Sequence, residues 1–164
     1  MKKYLFLIII TFVFILTGCS NDFDEYCYDI NYVEEYQNSS FIINSVEELQ
    51  SFYRDYKEIF GLDSIEKNDV NGFYDIYDKY DSVNYFGKGN RLVLLILNEG
   101  YDATKHRLMS ISYNDETLIV NIECSIPGMG GNVPAVCGAC LMVLEIPEYD
   151  PTFDSVEINK VTKE

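Results

Sequence analysis

The chain has 164 residues, with 12 basic and 27 acidic side chains, a formal net charge of −15 at pH 7 and a 48% hydrophobic share. That length and apolar content can bury a core without metal or disulfide staples, which excludes disorder throughout and fits a single domain. The strongly negative field excludes nucleic acid and anionic lipid headgroups as partners.

Lys2 and Lys3 precede the uncharged apolar run Tyr4 to Leu16. A positive start followed by a run too short to span a bilayer is the layout of a secretory leader. The run ends in Leu16-Thr17-Gly18-Cys19, which resembles the bacterial lipobox. The resemblance implies that residues 1–18 are a lipoprotein signal peptide cut before Cys19, whose thiol takes a diacylglyceryl group and whose new amino terminus is usually acylated as well. Two or three acyl chains anchor a protein stably where one does not. The expected place is therefore the bacterial cell membrane or outer membrane, facing outside the cytoplasm. Residues 19–37 are acidic, rich in tyrosine and without a clean period. They predict a tether stretched by like charges, although their aromatics would equally suit a first, irregular strand.

Residues 38–164 are expected to form one α+β domain. Phe41-Ile42-Ile43 reads as a short strand. Ser45-Val46-Glu47-Glu48 is a capping box, in which Ser45 accepts from the Glu48 amide and Glu48 reaches back to the Ser45 amide. Val46, Leu49, Tyr53, Tyr56 and Phe60 follow at three- and four-residue steps on one helix face, and Gly61 supplies the stop. Residues 62–90 read mostly as loop. Within them Tyr74, Tyr77 and Tyr80 recur with Asp75, Asp78 and Asp81, the spacing of a short amphipathic segment with a solvated acidic face. A calcium loop is disfavoured, because Gly72 falls in the wrong place for an EF-hand.

From Arg91 onward the pattern is that of strands. Leu92 to Leu97 is a continuous apolar run, as in a central strand covered on both faces. Met109, Ile111 and Tyr113, a turn at residues 114–116, and Leu118, Val120, Ile122 and Cys124 make a half-solvated hairpin. Pro127 to Pro134 is an irregular loop, Cys140 to Ile146 a further strand stopped by Pro147, and Ser155 to Val161 a last one. Together these predict a small, mainly antiparallel sheet domain, sandwich- or barrel-like, with one capped helix near its amino terminus packed on it.

The SVEELQSFY helix, the NYFGKGNRLVLLIL strand entry, the RLMSISYNDETLIVNIECSIP hairpin and the LMVLEIP strand resemble a family of bacterial envelope lipoproteins related to the C-terminal domain of the protease-complex subunit PrcB. The resemblance spans about Val46 to Glu148 and rests on core and turn positions. It implies a secreted or anchored domain without a catalytic motif, whose named relative supports assembly or stability of an exported protease complex. A shorter segment, Gly128-Met129-Gly130-Gly131, is similar to the glycine-rich loop of chagasin-type cysteine-protease inhibitors. Elements like that family's other two inhibitor loops are missing, and the chain has no Trp.

Cys137-Gly138-Ala139-Cys140 is a CxxC motif, but it runs into an apolar strand instead of opening a helix, the wrong context for disulfide exchange. Cys124, Cys137 and Cys140 could hold zinc with His106 or Cys27 as the fourth ligand. The blander reading, favoured here, is a structural disulfide from Cys124 to Cys137 or Cys140, or buried thiols. No other cofactor is indicated. His106, the only histidine, lies between Lys105 and Arg107 and is expected at the surface. No nucleophile–base arrangement follows from spacing, so the expectation is a noncatalytic binding or scaffold module with an envelope or extracellular protein as partner; the alternatives are a chagasin-like protease inhibitor and a metal- or thiol-dependent sensor. The candidate contact surfaces are Tyr74, Tyr77 and Tyr80, whose rings offer rigid area at low entropic cost, and the loop at Gly128, Gly130 and Gly131.

Overall fold

The computed structural model describes residues 25–62, 79–80, 84–99, 104–125, 138–148 and 150–163. In chain order the elements are β1 (Glu25–Ile30), β2 (Ser39–Ile43), helix α1 (Val46–Phe60), β3 (Arg91–Glu99), β4 (Lys105–Asn114), β5 (Thr117–Ser125), β6 (Gly138–Ile146) and β7 (Ser155–Lys163). The strands form a four-stranded sheet of order β1-β6-β3-β2 and a three-stranded sheet of order β4-β5-β7. All pairings are antiparallel except β5 with β7.

The period of the strands explains the layering. Side chains alternate across a sheet, so Leu92, Leu94, Ile96, Leu141 and Val143 face the helix with Leu49, Phe52 and Phe60. Val93, Leu95, Leu97, Met142, Leu144 and Ile146 face the other way, onto Leu118, Val120, Ile122 and Cys124 of β5. The four-stranded sheet is thus the middle of three layers, helix, sheet and sheet. This is why β3 and β6 read as unbroken apolar runs, while β5 alternates buried with half-buried residues. The architecture is α+β and sandwich-like; the sheets do not close into a barrel.

The helix is capped as expected at its start. Ser45 Oγ accepts from the Glu48 amide at 3.2 Å, but Glu48 Oε2 accepts from the Asn44 amide at 2.7 Å, one residue beyond the expected partner. Gly61 ends the helix at φ 67°, its N–H bonded to the Lys57 carbonyl. The left-handed φ strains any residue with a Cβ, which would also meet Asn31 Nδ2 at 2.7 Å and displace that side chain, so glycine is strongly favoured.

The strands and Tyr80 depart from expectation in three respects. Residues 25–37 are not a tether: β1 pairs with β6, Tyr28 is buried, and the Asn31 amide donates to the Phe60 carbonyl at 2.9 Å. Val33 and Tyr36 pack on the helix-side core. The acids that suggested a tether include Asp29, which alternates outward from Tyr28 and Ile30 on this edge strand. Met109 does not join Ile111 and Tyr113 inward; it is 55% exposed. The register of β4 shifts between Leu108 and Ser110, and Leu108 takes the inward position, as a bulge requires. Tyr80 is buried, not a contact surface: its ring packs on Tyr85 at 4.7 Å and its hydroxyl donates to Glu145. Tyr74, Tyr77, Gly128, Gly130 and Gly131 lie outside the described residues, as does Cys19.

Candidate functional site

Among the described residues, two places stand out for their polar side chains. The first is a half-buried cluster where the ends of both sheets meet. Glu99 closes β3, His106 and Cys124 are direct cross-strand partners on β4 and β5, and Lys160 comes from β7. Glu99 Oε1 lies 2.6 Å from Lys160 Nζ and 3.0 Å from His106 Nε2, and Lys160 Nζ also donates to the Asn98 carbonyl at 3.2 Å. The His106 side chain is only 4% exposed, which corrects its expected surface position. It occupies an inward place on β4, while the adjoining Lys105 and Arg107 point to solvent.

The protonation states follow from these contacts. Burial pushes the Glu99 carboxyl up, but hydrogen bonds and charge attraction from Lys160 and His106 outweigh it and hold it below the ordinary 4.5. The Cys124 thiol is pushed above its ordinary range, first by burial and then by the Glu99 charge, and it donates to Glu99 Oε1 at 3.8 Å. A protonated, 3% exposed thiol turned to a carboxylate is a weak nucleophile.

The metal expectation is regrouped by the fold. Ligand atoms of Glu99, His106 and Cys124 lie within 4.8 Å of one another, whereas Cys140 belongs to a different strand and Cys137 lies outside the described residues. Cys124 and Cys140 are thiols, so no disulfide joins them. Cys140 lies within the strand β6, two residues past its start at Gly138, and its hydrogen bond with Cys27, with burial, pushes its thiol upward, opposite to a redox-active cysteine. Zinc at the trio would have to displace the Lys160 ammonium and deprotonate Cys124 against its shift. The chemistry of the cluster is that of an ion pair tying β3 to β4, β5 and β7.

The second place is an open groove of about 620 Å³ along β2, between α1 and the start of β7. Its apolar lining comes from Phe41, Phe52 and Tyr56 on the helix side and Ile42 and Val156 on the side of the second sheet. Its rim carries Glu47, Glu48, Asp55 and Asp154. Asp55 pairs with Arg54 at 2.9 Å, but both are well exposed, so that bond is weak. Phe41 meets Phe52 and Tyr56 with ring centroids 5.0 Å apart, which makes that side of the groove rigid. Local pattern does not reveal this site, because β2 and α1, neighbours along the chain, form it only together with the start of β7, which is distant in sequence.

Comparison with protein-family models, with curated proteins and with solved structures finds no match to this chain.

Proposed function

We propose that this chain is a lipid-anchored, noncatalytic binding module of the bacterial cell envelope, held by Cys19 and engaging another envelope or extracellular protein. The observation that carries this reading is the open acidic groove, rigid and apolar on one side and rimmed by carboxylates. It has the aromatic lining and polar rim that suit capture of a protein segment. The half-buried cluster supports binding over turnover, since its thiol is protonated and its carboxylate engaged by Lys160. Within this reading, stabilising an exported protease complex is the role that the PrcB-like residues suggest. The test is recovery of partners from native membranes with the full-length protein and with Ser51→Trp, which places a bulky ring in the groove at a half-buried helix position, its fold checked by urea unfolding. A stoichiometric partner recovered by the first and lost by the second fits the proposal. Equal recovery by both contradicts it.

A further inference from the structure

Four strands lie at the sheet edges, β1 and β2 in the middle layer and β4 and β7 in the outer one. Exposed edges invite pairing with other chains, and proteins blunt them with charges, proline or bulges. β1 carries Asp29, β4 carries Lys105, Arg107 and a bulge, and β7 carries Glu157 and Lys160. β2, with sequence SSFII, has none of these: it is uncharged, lacks proline, and pairs with β3 through five consecutive residues without a shift. Among the described residues no strand lies on its outer side. That same edge runs along the groove.

Resting on the reading of the groove as the binding site, we propose that it takes an extended segment of a basic partner, which adds to the sheet as a fifth strand beside β2. Backbone hydrogen bonds supply affinity in this mode, and alternate side chains supply selectivity. One row of the incoming side chains would meet Phe41, Phe52 and Tyr56, and the other Ile42 and Val156. Glu47, Glu48 and Asp55 flank the first row and Asp154 the second, so lysine or arginine is met by carboxylate on either side. A second copy of this chain is a poor occupant, because two bodies of net charge −15 repel. The length of β2 matches a partner strand of five or six residues, about 17 Å.

The probe is a labelled nine-residue peptide of alternating lysine and valine with blocked ends, titrated onto the full-length protein in neutral detergent and followed by fluorescence anisotropy. Two further peptides serve as comparison, one with glutamate in place of lysine and one N-methylated at alternate residues. The basic peptide is expected to bind, more weakly as salt is raised. The glutamate peptide and the N-methylated peptide are expected not to bind. The exposed-site double variant Glu47→Lys with Asp154→Lys should lose about tenfold or more in affinity, as reversed charges at an interface do. Absence of binding by the basic peptide, equal binding by the N-methylated form, or an unchanged affinity in the double variant overturns the added strand. If the added strand fails while Ser51→Trp still abolishes partner recovery, the groove remains the binding site and only its occupant is wrong.

Discussion

Lys160→Met removes an ammonium whose nitrogen sits 2.6 Å from Glu99 Oε1 and 3.2 Å from the Asn98 carbonyl. At an effective dielectric of about 20, unit charges at that separation attract by about 6 kcal/mol before desolvation is counted. The two side chains keep 20% and 19% of their exposure, between a surface pair worth about 0–1 kcal/mol and a buried one whose breakage costs about 3–5 kcal/mol. A loss of about 2 kcal/mol at pH 7 is therefore expected, including the lost bond to Asn98. Urea unfolding followed by tyrosine fluorescence measures it, with the slope unchanged if compactness is preserved. The pH dependence gives a second constraint. The Glu99 carboxyl is held below 4.5 in the folded protein, so its contribution is complete above the unfolded value and fades as pH falls through the folded one. The cost of Lys160→Met should thus shrink toward pH 3. A cost under about 0.5 kcal/mol at pH 7, or one that stays constant down to pH 3, would refute this account of the cluster.

Cys19→Ser should move the protein from the membrane fraction to the soluble fraction, and continued membrane association would remove the lipid anchor from the account. Ser45→Ala should cost about 1 kcal/mol in the same unfolding assay through loss of the cap. Gly61→Ala should cost about 1–2 kcal/mol, because alanine is strained at φ 67° and meets Asn31. Cobalt(II) added at neutral pH should give no thiolate charge-transfer band, since Lys160 and the protonated Cys124 oppose metal entry. A strong band that disappears in Cys124→Ser would instead establish a metal site.

The elements that local pattern dictates were legible in the sequence. The Ser45 cap and Gly61 stop bounded the helix, the apolar run from Leu92 marked a doubly covered strand, and the alternation around Leu118 marked a sheet covered on one face. What escaped depends on partners distant along the chain. β1 was masked because its acids broke the hydrophobic signal while Tyr28 and Ile30 kept the inward period. A one-residue bulge at Met109 reversed the facing of Leu108, and burial of His106 followed from its place opposite Cys124, which its charged neighbours concealed. Glu99 went unnoticed as a cluster member because its role comes from Lys160, 61 positions away. The groove escaped because the start of β7 reaches the adjacent β2 and α1 only through the fold.

Under the proposed function, this protein works by holding a partner in the groove beside β2. A photo-crosslinking residue placed at Ser51, in the groove, and separately at Ser112, exposed on the far edge strand β4, tests it directly in native membranes. The account predicts one discrete crosslinked partner from position 51 and none from position 112. A discrete adduct from position 112 alone would contradict it.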